Sequence, residues 1–448
     1  MIFFRVSQNI NIKTTDGTLV SYYKFKMPSN LENSTVFITT QNDFNDLKEV
    51  FANVDKTKYK TKLLKEENIR ALENFPIELG ISNEYEYLKD LEYKQTIEKS
   101  ILNEKEDVLS LYNDSKEVDL YKQLTMIKKK DEISLVIIGG FGKKIGQIIS
   151  SSTALRILYN KLKEIFKSVK IDLYIDASNN SFYSRDKQIY LKQKCINNVL
   201  PLSLTSKKLF EYDYFIDNSS VIEKSPFFNT LNNVDAWLNK FGIDYKKIPS
   251  FLKFNELNIE DIKVSKSLEN KINLIKTKGK VLLFHPFSAD IKKTMPQNIA
   301  SSILSKILDK FDDYTIVSIL NIDSKIIDDR YVDLSKESKA INEFMYIVSQ
   351  MDTIITTDTS TFHISDAFMI PTVVLSTDKE IDKKVKYYKY TKVIKIEDKS
   401  KSLSKFIYDN ESLTLYRFQS WKKLKISKII KLLDSFWYNP FFIENTRN

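Results

Sequence analysis

The chain of 448 residues is longer than one ordinary hydrophobic core, and its 42% hydrophobic and 12% aromatic content predicts about two to four packed domains rather than a disordered protein. Its formal charge of +10 comes from 69 basic and 59 acidic residues that are interspersed, and no zinc-finger spacing or ribonucleoprotein motif accompanies it, so anionic small molecules are favoured over nucleic acid as partners. The single cysteine, Cys195, excludes an intrachain disulfide framework and a cysteine-based metal site.

The N-terminal residues predict neither a signal peptide nor a membrane span. The start, Met1-Ile2-Phe3-Phe4-Arg5, turns polar within a few residues. No stretch of the sequence approaches the roughly 20 apolar residues that cross a bilayer. With one cysteine, which fits a reducing compartment, we expect a cytoplasmic protein whose only form of membrane contact is peripheral, at an anionic membrane face.

Residues 1–130 are predicted to form a small appended module that is α+β or β-rich. Short strands are expected at Ile10–Ile12, Leu19–Phe25 and Thr35–Thr39, with a turn at Asp16-Gly17. From about residue 84 to residue 121 the sequence is rich in Glu, Lys and Leu and predicts a helical linker. Acceptor recognition and oligomer contact are both open as roles for this module.

From residue 133 onward, short β-branched runs alternate with amphipathic stretches, which is typical of parallel sheets covered by helices. The predicted strands are Ile133–Ile138, Val169–Ile175, Tyr212–Ile216, Val281–His285, Tyr314–Ile319, Thr353–Thr357 and Pro371–Leu375. The first helix is predicted from apolar residues at helical spacing, namely Ile145, Ile148, Ile149, Leu155, Leu158, Leu162 and Ile165. Because these strands are too many for one sheet, we expect an α/β fold with two Rossmann-like, doubly wound lobes at residues 131–265 and 266–448. A closing helix, Phe418–Trp437, is expected to pack back on the first lobe.

The glycines are concentrated in one loop. Of the eight in the chain, half lie between Gly139 and Gly146, after a predicted strand and before a predicted helix. Such a turn exposes helix amides to an anion, but a tight turn also needs glycine for structural reasons, so both interpretations stay open. The spacing fits neither the dinucleotide-binding fingerprint nor a P-loop.

Both histidines of the chain fall where active-site loops leave a sheet. His285 ends a predicted strand, and His363 follows another strand by a few residues, at the start of a helix. A packed or capping histidine would be the ordinary interpretation of either one alone. Their shared position at strand ends favours a functional role.

The Asp358-Thr359-Ser360 turn has the composition of an anion site. Hydroxyl groups and unpaired amides at a helix N-terminus suit a diphosphate, and the positive end of the helix dipole adds to the attraction. Asp358 could cap the helix, or it could bind a ribose or orient a donor sugar, and these roles are compatible.

Five short segments in the second half of the chain combine histidine, lysine, aspartate, hydroxyl residues and proline in a fixed order. They are His285-Pro286-Phe287-Ser288, Lys293-Thr294-Met295-Pro296, Asp358-Thr359-Ser360-Thr361-Phe362-His363, Asp366-Ala367 and Pro371-Thr372-Val373-Val374. In order and spacing they resemble the second lobe of the heptosyltransferase-type glycosyltransferases, family 9 of the nucleotide-sugar enzymes. In the first lobe, the segment from Gly146 to Arg156 resembles that family's Gly-Asp-x-x-x-x-x-Pro-Ala-Leu-Arg pattern, and the segment from Tyr212 to Asp217 resembles its Tyr-Asp-x-x-Ile-Asp strand.

The resemblance implies the two-lobed GT-B architecture and an inverting transfer of a sugar from a nucleoside diphosphate, ADP-heptose by analogy, to a glycan or protein acceptor. It implies no metal and no cofactor. Lys293 would contact the donor phosphates, and the other donor-site residues would be His285, Ser288, Asp358, Thr359, Ser360, Thr361 and His363. The acceptor side would include the loop residues Gly140, Gly142, Lys143, Lys144 and Gly146.

One position departs from the family pattern in a way that affects catalysis. The aspartate that the resemblance gives as general base is Gln147 here, and a glutamine amide cannot accept a proton at neutral pH. Two alternatives to an active enzyme therefore stay open. The chain could bind a nucleotide, a sugar or a partner without turnover, or it could be a basic interaction protein that acts through its first 130 residues. The sequence leaves the oligomeric state open.

Overall fold

The structure is a computed structural model, and its described residues exclude several stretches of the chain. They are residues 2–6, 9–23, 37–58, 69–72, 120–126, 131–178, 180–209, 211–219, 222, 227–322, 326–397 and 420–437. Most of the predicted helical linker, the first two residues of the strand predicted at Thr35 and the start of the predicted closing helix lie outside them.

The chain separates into two compact units. The first comprises Met1–Lys143 and Ala154–Ile248, and the second comprises Lys144–Thr153 and Pro249–Asn448. The beginning of the helix Ile145–Lys163 thus belongs to the second unit and its remainder to the first. The domain boundaries predicted at residues 130 and 265 remain predictions.

The first unit is built on a parallel sheet. Its described strands are β1 Ile2–Val6, β2 Ile10–Lys13, β3 Leu19–Tyr22, β4 Phe37–Thr39, β5 Ile69–Leu72, β6 Glu132–Ile138, β7 Ser168–Ile175, β8 Asn198–Pro201, β9 Leu204–Thr205 and β10 Tyr214–Asp217. Its described α-helices are α1 Gln41–Lys58, α2 Leu120–Met126, the greater part of α3 Ile145–Lys163, α4 Tyr183–Tyr190, α5 Ser206–Leu209, α6 Phe227–Thr230 and α7 Asn233–Lys240, and a short 3-10 helix follows at Tyr245–Lys247. Strands β10, β6, β7 and β8 pair in that order, all parallel.

The N-terminal strands form a second sheet in this unit. Strands β5, β1 and β4 form an antiparallel sheet that continues onto β9, and β2 pairs with β3 as a hairpin. Ile38 of β4 packs in one apolar cluster with Val136, Ile138 and Phe215 of the parallel sheet. Strand β4 therefore contributes to the core of the first parallel sheet, while the other buried apolar side chains of the N-terminal strands form a cluster of their own with helix α1.

The second unit has the strand order of a doubly wound fold. Its described strands are β11 Lys280–His285, β12 Tyr314–Ser318, β13 Tyr331–Asp333, β14 Thr353–Thr357, β15 Thr372–Ser376 and β16 Thr391–Lys395. Its described helices are α8 Lys266–Thr277, α9 Gln297–Lys310, α10 Ile341–Ser349, α11 Ser360–Ala367, α12 Ile381–Lys384, α13 Ile426–Trp437 and a 3-10 turn at Ser250–Leu252. The strands pair in the order β13, β12, β11, β14, β15, β16, all parallel.

Burial explains why these strands form. Every residue of β12, β14 and β15 is buried, as expected for parallel strands that helices cover on both faces. Helix α13 packs through Ile429, Leu433 and Phe436 on the core that these strands share with α9. The predicted α/β fold with parallel sheets in two lobes is confirmed.

Helix α3 begins at Ile145 as predicted, and most of the residues expected on its apolar face are buried. Ile145 is only partly buried, and Ile165 is 43% exposed because the helix ends before it, at Lys163. Across the part of the chain that the structure describes, each helix is too short or too polar to cross a bilayer.

Candidate functional site

The topology of the second sheet brings three loops to one edge. Strands β11 and β14 are neighbours at its centre, and β15 lies beside β14. Because all three strands are parallel, the chain leaves their carboxyl ends at the same edge. The strand order reverses between β11 and β14, and doubly wound sheets bind ligands at this switch point.

A charged cluster joins the loops that follow these three strands. The Nζ atom of Lys293, after β11, lies 2.8 Å from Oδ2 of Asp358, after β14. The Nζ atom of Lys384, after β15, lies 2.7 Å from the same Oδ2 and 2.8 Å from Oδ2 of Asp378. The Asp358 side chain is only 4% exposed, whereas those of Lys293 and Lys384 are 23% and 32% exposed. The two ammonium groups are therefore held side by side where a ligand can reach them.

The cluster fixes the ionisation of its members. Burial would raise the pKa of Asp358, but the ammonium groups of Lys384 and Lys293 outweigh it and hold this pKa below its ordinary value. Burial opposes protonation of Lys384, yet Asp358 and Asp378 raise its pKa above the ordinary value. Burial lowers the pKa of Lys293, and Asp358 works against that effect. A carboxylate between two ammonium groups is the resulting arrangement.

The loop after β11 is closed by its own hydrogen bonds. The amide of Ser288 donates to the hydroxyl of Thr294, and the amide of Met295 donates to the carbonyl of Pro286. Met295 is fully buried, which anchors the end of the loop. These bonds set the backbone of Lys293 in place, so the loop itself need not be ordered when the side chain binds a ligand.

Helix α11 begins at this edge without a side-chain cap. Thr359 occupies the capping position in an extended conformation, and its side chain makes no capping hydrogen bond. Asp358, which the sequence offered as a cap, is held by the two lysines instead. The first amides of a helix have no intrahelical partner and carry the positive end of its dipole, so this N-terminus can accept an anion.

His285 joins the end of β11 to this helix. Its Nδ1 lies 2.6 Å from the hydroxyl oxygen of Thr361, and the ring is buried against the edge of Phe344. Burial lowers the pKa of His285 to about 4, so the ring is neutral at pH 7. In the described arrangement His285 and Thr361 connect two elements of the site.

His363 connects the same helix to the beginning of α3. Its Nδ1 lies 2.6 Å from the hydroxyl of Tyr388, and burial is the main reason that its pKa falls to about 3. A Cβ atom added to Gly146 would lie 2.3 Å from Cδ2 and 2.5 Å from Nε2 of this imidazole. Only a residue without a side chain fits there, so Gly146 is needed for close packing against His363.

Gln147 follows Gly146 in the same turn and is partly exposed. Its side-chain oxygen accepts a weak hydrogen bond from the amide of Lys144 at 3.4 Å. The turn that contains Gly146 and Gln147 therefore lies next to His363 within the second unit.

In the glycine loop of the first unit, packing explains one of the glycines. The amide of Phe141 donates to the Tyr190 hydroxyl at 2.7 Å, and the Phe141 ring is fully buried against Trp237. A Cβ atom on Gly140 would lie 2.9 Å from the same Tyr190 oxygen. The carbonyl of Lys143 accepts a hydrogen bond from Arg185. Packing alone thus explains glycine at position 140, and roles of Gly140, Gly142, Lys143 and Lys144 toward an acceptor stay predictions.

Sequence reasoning missed Lys384 and Asp378. The available signal was the run Ser376-Thr377-Asp378, which places polar residues directly after a third buried strand. Lys384 gave no signal of its own, because Lys383 beside it has the same charge and faces Glu380.

A second feature that the sequence did not reveal is a pair of carboxyl groups in the first unit. Asp43, in the first turn of α1, accepts hydrogen bonds from the Thr39 hydroxyl and the Ser178 amide. Asp176, after β7, accepts one from the Thr40 hydroxyl. Burial, and then the negative charge of Asp176, raise the pKa of Asp43 to about 7. The pair joins the N-terminal helix to the end of the first parallel sheet.

Comparisons with known proteins give matches only among solved structures. No family model matches the chain, and no curated protein matches it. The glycosyl transferase family 9 protein from Veillonella parvula DSM 2008 is 12% identical, with a TM-score of 0.45 over 68% of this chain and 96% of that one. E. coli ADP-heptose LPS heptosyltransferase II is 13% identical, with a TM-score of 0.45 over 68% and 98%. The iron-containing dodecameric glycosyltransferase TibC from enterotoxigenic E. coli H10407 is 11% identical, with a TM-score of 0.43 over 69% and 77%.

These likenesses concern the fold alone. Within the described part of the chain there is no group of three or more His, Cys, Asp or Glu side chains placed to hold a metal ion.

Proposed function

We propose that this protein is a glycosyltransferase that holds a nucleoside-diphosphate sugar at the switch point of its second sheet. The observation that carries the proposal is the ion pair between Lys293 and Asp358, because it joins the two loops that the sequence motifs predicted to share one ligand. The uncapped N-terminus of α11 lies directly after Asp358. An ammonium group and a helix N-terminus together match the charge of a diphosphate.

The proposed reaction is an inverting transfer. An acceptor hydroxyl attacks the anomeric carbon of the donor and releases its proton to water, the bond from that carbon to the phosphate oxygen breaks, and the nucleoside diphosphate leaves with the bonding electron pair. Negative charge then grows on the departing diphosphate, where Lys293 and the helix amides would stabilise it. We propose that these groups supply the charge without a metal ion, and that ADP-heptose is the donor by resemblance. The acceptor would be a glycan or a protein, and the site of action would be the cytoplasm.

Lys293→Ala tests this role. Removing one preorganised donor commonly costs ~2.7 to 4 kcal/mol of barrier, so we expect turnover to fall roughly a hundredfold or more. The measurement is release of ADP from ADP-heptose, with and without EDTA, in the presence of candidate acceptors. Lys292→Ala is the matched control, because Lys292 is the exposed neighbour of Lys293 in the same loop. Turnover of the Lys293 variant within threefold of wild type would remove Lys293 from the mechanism, and loss of turnover in EDTA would contradict metal independence.

Gln147 favours a second candidate, a homologue that binds the donor without turnover. Its amide cannot take the proton of an acceptor hydroxyl, so this position offers no general base. Calorimetry with ADP and ADP-sugars, paired with a donor-hydrolysis assay, separates the two candidates. Binding without turnover over a range of acceptors supports the second. Slow donor hydrolysis that Lys293→Ala abolishes supports the enzyme.

A further inference from the structure

Lys384 occupies a place in the charged cluster that no motif of the sequence predicts. It ends α12, which follows β15, so it reaches the site from a third loop. The hydroxyl of Thr377, at the start of that loop, donates to the carbonyl of Lys292 at 2.7 Å and ties this loop to the one that holds Lys293. The position of Lys384 is thus fixed by the same strand edge as the other two loops.

The arrangement of charges differs from an ordinary surface salt bridge. Lys293 and Lys384 approach one oxygen atom, Oδ2 of Asp358, from different loops. Two like charges repel each other at this range, and the buried carboxylate between them offsets the repulsion. Asp378 gives Lys384 a second partner, so two ammonium groups and two carboxylates balance. In this state both lysine side chains are more exposed than the carboxylate that holds them.

A diphosphate ligand would meet two adjacent ammonium groups, one for each phosphate. One ammonium group gains nearly as much from a monophosphate as from a diphosphate, whereas two groups side by side favour the ligand with two charged centres. We propose that Lys384 is a second diphosphate-binding residue, that it makes the site selective for diphosphates over monophosphates, and that Asp378 competes with the ligand for it. This inference rests on the proposed function, because it assigns a further contact to the same donor.

The test measures binding of inorganic pyrophosphate, ADP and AMP to the full chain by calorimetry. For the wild type we expect ADP to bind at least tenfold more tightly than AMP. Lys384→Ala should weaken pyrophosphate and ADP at least tenfold and AMP much less, which removes the selectivity. Lys384→Arg should keep most of it, because the charge remains. Lys383→Ala, the neighbouring lysine that faces Glu380 at 3.7 Å, should leave all three affinities unchanged.

Asp378→Asn separates a ligand contact from a merely structural ion pair. Asparagine keeps an oxygen that can accept the hydrogen bond from the Glu380 amide but removes the charge that competes for Lys384. If Lys384 binds the ligand, this variant should bind pyrophosphate severalfold more tightly than the wild type. If the pair only holds the loop, binding should weaken or stay the same, and the inference is overturned. This variant decides the question even if Lys384→Ala fails to fold.

The failures of the two proposals can be told apart. A wild type that binds none of the three ligands overturns the proposed function, and the inference falls with it. A wild type that prefers ADP, together with a Lys384→Ala variant of equal affinity and selectivity, leaves the proposed function standing and overturns the role of Lys384 alone.

Discussion

At the level of single residues, Gly146 shows how one missing side chain shapes the site. In the first turn of a helix, replacing glycine by alanine normally stabilises by roughly 0.5 to 1 kcal/mol, because glycine loses more entropy on folding. Here the added Cβ would meet the His363 ring at 2.3 Å, inside any normal contact distance. We expect Gly146→Ala to destabilise the protein by about 1 to 3 kcal/mol instead, the usual range for overpacking.

A second substitution tests whether the His363 ring causes the destabilisation expected for Gly146→Ala. Thermal unfolding of Gly146→Ala is compared with the same change in a His363→Ala background, where the ring is gone and the substitution should become neutral or stabilising. Equal destabilisation in both backgrounds would show that the ring is not what Gly146 accommodates.

The two histidines should stay neutral throughout the physiological range. Burial lowers the pKa of His285 to about 4 and that of His363 to about 3, and Asp358, Lys384 and Lys293 modify the latter. The unfolded chain binds protons at these rings below about pH 6.5 and the folded chain does not, so stability is lost as the pH falls from 6.5 toward 3.

Nuclear magnetic resonance can follow both rings because the chain has only two histidines. We expect no shift of either ring signal between pH 5 and 8, with a His363→Gln variant to assign the two signals. A titration midpoint between pH 6 and 7 would mean that the ring is solvated and that its neutral role in the site is wrong.

At the level of elements, the inner strands of the second sheet could be predicted from the sequence because they are buried on both faces. Strands β11, β12, β14 and β15 were predicted to within a residue or two at each end, since helices cover both faces and only apolar and β-branched runs suit such positions. Strands β13 and β16 were missed, and both lie at the edges of their sheet with mostly partly buried residues. An edge strand that is partly exposed to solvent has no continuous apolar run, so its sequence resembles that of a loop.

Some residues of the candidate site could be predicted from the sequence and others could not. Lys293 and Asp358 were predicted as parts of one site from the resemblance to family 9, and their ion pair joins the loops that follow the two central strands, whose ends the topology brings together. Lys384 and the pair of Asp43 and Asp176 could not be predicted, because their contacts come from elements far apart in sequence. Periodicity and spacing describe a residue's own element, and they say nothing about which distant loop packs against it.

At the level of the whole molecule, two compact units with separate cores should unfold in separable steps. Chains of this kind commonly depart from two-state behaviour, so calorimetry should resolve two transitions. Gly146→Ala changes a contact within the second unit, and Asp43 lies in the first, so each substitution should shift a different transition.

The stability of the first unit, which contains Asp43, should also depend on pH. The sign of this dependence is opposite to that expected from the two histidines. Burial and the charge of Asp176 raise the pKa of Asp43 to about 7, while Tyr22 also faces Asp43 and Lys143 faces Asp176. Between about pH 4 and pH 7 the folded chain holds a proton that the unfolded chain has released. By proton linkage, this carboxyl's contribution to stability falls as the pH rises through that window, by ~1.4 kcal/mol for each unit of pKa shift.

Asp43→Asn removes the titrating group and keeps an oxygen for the Ser178 amide. We therefore expect the variant to gain stability relative to the wild type as the pH is raised from 4 to 8, since only the wild type must then bury a charge. In a unit of this size about 1 kcal/mol moves the unfolding midpoint by roughly 2 to 4 °C, which calorimetry resolves. A difference that is constant with pH, or that grows toward acid, would show that Asp43 is ionised in the folded protein at low pH. The Ser178 amide would then donate to a charged carboxylate rather than to a protonated carboxyl group.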